Sequence, residues 1–216
     1  MSFLPNLACI ISHPKRYFTE KSLVLLSKFK IARNNQLKTS RVVIKKSSFT
    51  VIGQGNSIQL NNELVHNSTF FIRGKGNQVV IEKKARITNS TIIVKANNSR
   101  VFIGQGTQLG GTVVVCCGNE SHIHIGEYCG IAENVDIWNS DTHDILSDGV
   151  VINPSRPIDI GNRVWIGKGT AVLKGVHIGD SAIIGMRSVV TKDIRPNTIN
   201  VGNPTREIKE NVTWRL

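Results

Sequence analysis

Aliphatic residues recur at every sixth position in the C-terminal part of the chain. From residue 158 the sequence reads IDIGNRVWIGKGTAVLKGVHIGDSAIIGMRSVVTKDI, and the repeated residues are Ile160, Ile166, Val172, Ile178, Ile184 and Val190. Four positions after each of them stands a second, mostly small or β-branched set: Val164, Thr170, Val176, Ala182, Ser188 and Ile194. Neither the helical period nor simple strand alternation gives this spacing. A six-residue repeat predicts a β-helix, in which each hexapeptide forms one side of a triangular coil.

The six-residue spacing continues upstream with insertions. Three aliphatic triplets keep it: Ile81, Ile87 and Ile93; Ile103, Leu109 and Val115; Ile125, Ile131 and Ile137. The triplets begin 22 residues apart, so one side of each coil carries four extra residues, around positions 97–98 and 118–119. The next step, from Ile137 to Ile160, is 23 residues. Residues 138–157 are therefore predicted to project as a loop from the same corner.

The two ends of such a coil expose unpaired strand edges, so caps are expected. Residues 17–31 fit a short amphipathic helix that covers the first coil, with a membrane-surface helix as the alternative. The predicted organisation is a capping segment over 1–36, the β-helix over 37–200, and a tail over 201–216 that folds back on the coil.

Composition fits one β-rich domain of 216 residues. Aromatic residues make up only 6% of the chain, so Ile, Val and Leu must fill the interior. The four cysteines form no C-x-x-C pair and no signal peptide is evident, which predicts reduced cysteines in a cytoplasmic protein. No apolar run approaches the roughly 20 residues of a membrane-spanning helix.

The formal net charge of +12 favours an anionic ligand. Nucleic acid is not the expected partner, because the chain shows no zinc-finger spacing, no aromatic RNP-type stretch and no clear recognition helix. The basic residues are scattered along the chain instead of forming one run.

Four segments carry a family resemblance: WNSDTHDI, GNRVWIGKG, VVTKDI and GNPTREIKENVTW. They resemble the hexapeptide-repeat O-acetyltransferases, and among these the capsular sialic acid O-acetyltransferases of bacteria. The likeness is specific over 120–214, architectural over 40–120 and absent over 1–36. It implies an all-β, left-handed parallel β-helix, an exception to the usual right-handed crossover. It also implies a homotrimer with active sites between neighbouring subunits.

The same resemblance implies the reaction. Acetyl-CoA is the expected co-substrate, and the expected acceptor is a sugar hydroxyl in a bacterial surface polysaccharide, either capsule or lipopolysaccharide, with sialic acid as one option. A peripheral contact with membrane-bound glycan machinery belongs to the same expectation. Two other functions stay open: an N-acetyltransferase of an amino sugar or nucleotide amino sugar, and a non-catalytic β-helix that binds polyanions.

His143 is the candidate general base, because acetyl transfer to an alcohol needs a group that takes the hydroxyl proton. It lies in the long loop, where the resembled family places its catalytic histidine, although Asp144 replaces the proline that often follows. An imidazole base works best when one ring nitrogen is fixed as a donor. A backbone carbonyl or Asp141 could fix it, and a turn-capping role for Asp141 is the equal alternative.

Trp165 precedes the interior residue Ile166 and should point outward. The resemblance implies a place at the active site for Trp165, and burial at a subunit interface is the compatible alternative. By motif position, the backbone N–H of Lys168 is the implied donor to the oxyanion. Met186 follows 18 residues later and would continue the same groove toward the pantetheine arm.

Thr191, Lys192, Arg206 and Lys209 match the part of the family that meets the nucleotide end of CoA, where cations suit phosphate groups. For Trp214, stacking on adenine and packing of the tail are both open. No metal is expected. His122 and His124 alternate on one strand, but the third-ligand spacing of hexapeptide-type carbonic anhydrases is missing.

Overall fold

The computed structural model describes residues 22–215, and within them every regular element is a strand. Three sheets, whose strands pair in parallel from one coil to the next, form the three sides of a β-solenoid. Sheet A contains β1 (Leu23–Leu25), β4 (Val43–Lys45), β7 (Leu64–His66), β10 (Arg86–Thr88), β13 (Gln108–Gly110), β16 (Gly130–Ile131), β21 (Trp165–Ile166), β24 (Ile183–Ile184), β26 (Thr198–Val201) and β27 (Arg206–Glu210). The predicted all-β parallel β-helix is confirmed.

The other two sheets contain one strand from each coil that they cover. Sheet B contains β2 (Lys28–Ile31), β5 (Ser48–Gln54), β8 (Thr69–Lys75), β11 (Thr91–Asn97), β14 (Val113–Cys117), β17 (Asp136–Trp138), β22 (Ala171–Val172) and β25 (Val189–Val190). Sheet C contains β3 (Gln36–Thr39), β6 (Ser57–Leu60), β9 (Gln78–Ile81), β12 (Arg100–Ile103), β15 (His122–Ile125), β20 (Ile158–Ile160) and β23 (His177–Ile178). A separate hairpin, β18 (Leu146–Ser147) and β19 (Val150–Val151), lies in the long loop.

The interior of the C-terminal coils follows the six-residue spacing. Every repeated aliphatic residue from Ile160 to Val190 is fully buried. The second set, from Val164 to Ile194, is buried as well. Both rows therefore point into the coil, as the sequence predicts, and their burial supplies the hydrophobic stabilisation of these coils.

Upstream, the predicted interior positions on sheet B are wrong by one residue. Ile93 and Val115 were expected inside, but the core contains Ile92 and Val114, and Val114 is the residue that pairs with Ile137. The four extra residues extend the strands of this sheet, and side chains alternate between faces along a strand. A one-residue shift in register therefore moves Ile93 and Val115 to the outer face.

The first part of the described chain also departs from the prediction. Residues 22–31 contain β1 and β2, which pair in parallel with β4 and β5. The predicted helix over 17–31 is therefore wrong over 22–31, and residues 17–21 lie outside the described range. The apolar residues of this stretch fit strand alternation as well as a helical stripe. Pairing satisfies the backbone hydrogen bonds of the next coil, and the β-helix begins earlier than residue 37.

The chain ends by folding back on the coil. Strand β27 pairs antiparallel with β26, and the Arg195 guanidinium donates to the Glu207 carboxylate at 2.6 and 3.0 Å. The indole Nε1 of Trp214 donates to the carbonyl oxygen of Arg163 at 2.5 Å. In the structure, Trp214 therefore packs the tail against the coil. Over residues 22–215, the structure contains no helix with the length and hydrophobicity needed to cross a membrane.

Candidate active site

The long loop between β17 and β20 holds His143 at the outer face of sheet B. His143 lines a groove of about 640 Å³ together with residues of the strands beneath it, among them Lys95 and Trp138. The loop leaves the coil at the corner where the shorter insertions occur, as predicted. The candidate base is therefore next to a cavity that can hold a ligand.

Asn153 ties the two arms of this loop together. Its side-chain amide donates to the carbonyl oxygen of His143 at 2.9 Å and to the Asp141 carboxylate at 2.8 Å. Its Oδ1 accepts from the N–H of Ile145 at 2.6 Å. Lys174, which belongs to the coil, donates to the same Asp141 carboxylate and to the carbonyl oxygen of Asn153. Asn153 and Lys174 together anchor the loop to the coil, and neither is among the site residues predicted from the sequence.

The imidazole of His143 is exposed and has one nitrogen without a protein partner. Its Nδ1 lies 3.1 Å from the Thr142 hydroxyl oxygen. Within residues 22–215, Nε2 forms no hydrogen bond. If the Thr142 hydroxyl accepts from Nδ1–H, Nε2 carries the free lone pair that a general base needs.

Asp141 forms no hydrogen bond or ion pair with the His143 ring. Its carboxylate is bound by Lys174 and Asn153. The hydrogen bond from Lys174, followed by that from Asn153, holds the pKa of Asp141 below its usual value. The charged carboxylate therefore acts on the position of the His143 backbone, through Asn153, and Thr142 is the residue at Nδ1.

Trp165 points outward from sheet A, as predicted, with 46% of its surface exposed. Its ring centroid lies 6.0 Å from that of Trp214. The two indoles line a second cavity of about 260 Å³, whose floor includes Gly130. This cavity shares no residue with the groove at His143. Within one chain, the structure therefore does not bring Trp165 and His143 together.

Lys168 and Met186 occupy the same corner of successive coils. Neither backbone N–H has an acceptor among the described residues, whereas the neighbouring N–H groups of Gly167 and Arg187 donate between coils at 2.8 and 2.9 Å. The Lys168 ammonium is engaged with Glu133 at 2.7 Å. The corner therefore offers a ligand the free backbone N–H groups of Lys168 and Met186. Such donors can bind an oxyanion or the amide groups of a ligand.

The residues predicted for the nucleotide end of CoA are exposed on two elements. Thr191 and Lys192 follow β25, whereas Arg206 and Lys209 lie on β27. None of the three cations forms an ion pair with another described residue. Their charges are available to an anion, although no cavity described above unites them.

The histidines of sheet C have partners within the protein. His122 Nε2 lies 3.1 Å from the Asp159 carboxylate. The His124 ring stacks on Phe102 with centroids 4.8 Å apart. Burial, the main cause, lowers the pKa of His124. Across residues 22–215 no group of three or more His, Cys, Asp or Glu side chains is arranged to bind a metal ion.

Comparison with known proteins identifies the repeat. Residues 157–192 match the family described as bacterial transferase hexapeptide (six repeats). The chain carries the hexapeptide repeat of bacterial transferases. This stretch of hexapeptides contains Trp165 and Lys168 and ends at Lys192. The resemblance found in the sequence motifs is confirmed.

Two acetyltransferases match short stretches of the chain. The galactoside O-acetyltransferase of Escherichia coli (strain K12) is 47% identical over 68 residues, which are 32% of this chain and 32% of that protein. The chloramphenicol acetyltransferase of Klebsiella aerogenes is 52% identical over 54 residues, 25% of this chain and 26% of that protein. The hexapeptide-repeat chain thus spans about a third or less of the length of these relatives.

A solved structure matches over most of the chain. The polySia-specific acetyltransferase NeuO superposes with a TM-score of 0.67 and 27% identity, covering 92% of this chain and 84% of that one. The likeness to this acetyltransferase structure therefore extends beyond residues 157–192 into the early coils.

Proposed function

We propose that this hexapeptide-repeat protein is an O-acetyltransferase that moves the acetyl group of acetyl-CoA to a sugar hydroxyl of a bacterial surface polysaccharide. The observation that carries the proposal is the free Nε2 of His143, which lies at a groove on a loop anchored through Asn153 to the coil. The acetyltransferase names of its relatives support acetyl-CoA as the donor, and the name of NeuO supports a sialic acid-containing acceptor. The reaction takes place in the cytoplasm.

In this mechanism His143 acts as the base. Its Nε2 takes the proton of the acceptor hydroxyl as the oxygen attacks the thioester carbonyl, and a carbon–oxygen bond forms. The oxyanion of the tetrahedral intermediate accepts from the N–H of Lys168. The carbon–sulfur bond then breaks, the CoA sulfur leaves, and it takes the proton from the imidazolium. The product is an acetyl ester, and no covalent enzyme intermediate is needed.

The complete site is shared between subunits of a homotrimer. Support comes from the separation of His143 and Trp165, which line two cavities with no common residue in one chain. A second copy that brings its Trp165 and Lys168 to the groove of the first would join base, oxyanion donor and aromatic wall.

Acetyl-CoA extends from this joint site along the free corner donors. The N–H of Met186 faces the pantetheine arm, and Thr191, Lys192, Arg206 and Lys209 meet the phosphates. The exposure of these four side chains, with no ion pair to any of the described residues, supports this direction. Charge-assisted contacts to phosphate are among the stronger hydrogen bonds in proteins.

The experiment that tests the proposal follows the release of CoA thiol with a panel of acidic, neutral and amino sugars and their oligomers. We expect release with a hydroxyl acceptor and a base-labile ester product. An amide product on an amino sugar would instead identify an N-acetyltransferase. Absence of thiol release, together with no affinity for acetyl-CoA, would refute the transferase.

A further inference from the structure

The cavity of about 260 Å³ on the outer face of sheet A lies beside the corner that carries Lys168. The indoles of Trp165 and Trp214 form its walls, and its floor consists of backbone and of small or aliphatic side chains. The floor residues are Leu109, Gly110, Gly130, Ile131 and Ala132. We call this space the sheet A cavity.

The sheet A cavity begins where the proposed oxyanion donor lies. The N–H of Ala132 donates to the carbonyl oxygen of Ile166 at 3.0 Å, two residues before Lys168. The ammonium of Lys168 in turn reaches the carboxylate of Glu133, the residue after Ala132. The acyl chain of a thioester is attached to the carbonyl carbon, one bond from the oxygen. A thioester whose oxygen accepts from the Lys168 N–H therefore has its acyl chain at the mouth of the cavity.

The cavity is longer than an acetyl group requires. From Ala132 it extends over the earlier coils, because β16 pairs with β13 and β13 pairs with β10. Gly110 lies directly beside Thr88 in this register. Two coil steps separate Ala132 from Thr88, about 10 Å at the usual strand spacing. The methyl group of an acetyl thioester would occupy only the first of these steps.

Most polar groups around the cavity already have a partner in the protein. They are the Arg86 guanidinium on Glu63, the Thr88 hydroxyl on the carbonyl oxygen of Leu109, and the Trp214 indole N–H on the carbonyl oxygen of Arg163. Among the lining residues, the side chains of Gln108 and Trp165 form no hydrogen bond to another described residue.

This distribution of polar groups favours an apolar occupant. Each hydroxyl of a buried sugar ring needs a hydrogen-bond partner, because a buried polar group without one is costly. An alkyl chain needs none and gains from every methylene that leaves water. It would also cover part of Trp165, which is 46% exposed.

We propose that the sheet A cavity binds the acyl chain of the CoA thioester, and that the enzyme therefore accepts straight-chain acyl groups longer than acetyl, such as butyryl and hexanoyl. The bond changes are those of acetyl transfer: an ester forms at the acceptor oxygen, the carbon–sulfur bond breaks, and the CoA thiol leaves with the proton. This inference rests on the proposed function, because it specifies the acyl donor of that same site. Its binding part is testable without an acceptor.

The first test measures thioester binding by calorimetry in the absence of an acceptor. The probes are CoA, acetyl-CoA, butyryl-CoA and hexanoyl-CoA. Each methylene that enters the cavity should tighten binding about fourfold, which is the effect of burying one CH₂ group. Butyryl-CoA, with two more methylenes than acetyl-CoA, should therefore bind about 16-fold more tightly.

Gly110→Leu fills the cavity from its floor. A Cβ at Gly110 would meet only the carbonyl oxygen of Ile131, at an ordinary contact distance of 3.7 Å, so the coil has room for the side chain. We expect this variant to bind hexanoyl-CoA no more tightly than acetyl-CoA, and to bind acetyl-CoA like the wild type. Gln59→Leu, which adds an exposed leucine on the outer face of sheet C, is the matched control and should keep the preference for longer chains.

Trp214→Ala changes the cavity from the other side. The indole belongs to the tail and is not part of the core of the coil, so the variant should fold. The preference for hexanoyl-CoA over acetyl-CoA should fall about tenfold, because the chain loses one wall.

Equal affinity of the wild type for acetyl-CoA and hexanoyl-CoA would overturn the inference, as would a preference for longer chains that survives in both Gly110→Leu and Trp214→Ala. If Gly110→Leu changes the oligomeric state in light scattering and keeps the preference, a second copy of the chain occupies the cavity and the inference is wrong.

The second test separates this inference from the proposed function. With an acceptor present, the ratio of kcat/KM for hexanoyl-CoA to that for acetyl-CoA should fall about tenfold or more in Gly110→Leu and stay constant in Gln59→Leu. A loss of kcat/KM of the same size with both donors would instead indicate that the acceptor sugar occupies the cavity, and would overturn the inference.

The two hypotheses can fail independently. If the wild type transfers acetyl groups but gains nothing from a longer acyl chain, the proposed function stands and the assignment of the cavity is wrong. If hexanoyl-CoA binds more tightly through the cavity but no acceptor causes release of CoA thiol, the assignment of the cavity stands and the transferase is wrong.

Discussion

Replacing Asn153 by Ala should disable the active-site loop while leaving the β-helix folded. The side chain makes three hydrogen bonds, to His143, Asp141 and Ile145, and all of them lie in the loop region. A net contribution of about 0.5 to 1 kcal/mol for each gives about 1.5 to 3 kcal/mol of loop order, the low end applying where water replaces the lost partner. If that energy is needed to hold His143 in place, turnover falls about 10- to 150-fold.

The assay is steady-state release of CoA thiol, with acetyl-CoA affinity and thermal unfolding measured on the same samples. We expect a lower kcat, unchanged acetyl-CoA affinity and a melting temperature within a few degrees of the wild type. Asn61→Ala is the matched control, because the Asn61 side chain forms no hydrogen bond within residues 22–215. Asn153→Asp should be as impaired as the Ala variant, because a second carboxylate would face Asp141. Full activity in Asn153→Ala would refute the anchoring role.

Three further predictions concern the anchor, the cofactor and the extended strands. Lys174→Met should lower turnover about tenfold by leaving the Asp141 carboxylate without its cation, and unchanged thiol release would contradict this. Lys192→Ala/Arg206→Ala should weaken acetyl-CoA binding about tenfold or more, and calorimetry at low salt that shows wild-type affinity would mean that the phosphates bind elsewhere. Gly74→Ala should lower the free energy of unfolding by more than about 2 kcal/mol in urea titrations, because the added Cβ would lie 1.8 Å from the carbonyl oxygen of Ala96 on the next coil. Gly149→Ala, with no atom within 4 Å of its added Cβ, should lower the free energy of unfolding by less. Equal losses in the two variants would show that the close contact at Gly74 does not matter for stability.

The sequence was most informative where the hexapeptides are strict. From Ile160 onward each side of the coil has the same length, so one interior aliphatic residue predicts the next. On sheet B the spacing failed at Ile93 and Val115, because seven-residue strands alternate and the fixed six-residue step no longer follows the pleat. The helix prediction failed over residues 22–31 for a related reason, since an isolated apolar stretch does not reveal whether a neighbouring strand will pair with it.

The candidate site was predicted in part. His143 could be chosen from its motif, and the outward direction of Trp165 from its place before Ile166. The anchor could not, because Asn153 acts through hydrogen bonds that exist only after the loop has closed on residues 8 to 12 positions away. Lys174 reaches Asp141 across 33 residues of sequence, a contact that follows from coil stacking. Local sequence shows neither.

The comparison of His143→Ala with the wild type tests the central claim most directly. The loop lies outside the core, so the variant should fold, bind acetyl-CoA with wild-type affinity and release CoA thiol about 10² to 10⁴ times more slowly in the presence of the acceptor. A His143→Ala protein that transfers acetyl groups at the wild-type rate would contradict the account, because the groove at His143 would then not be where the hydroxyl loses its proton.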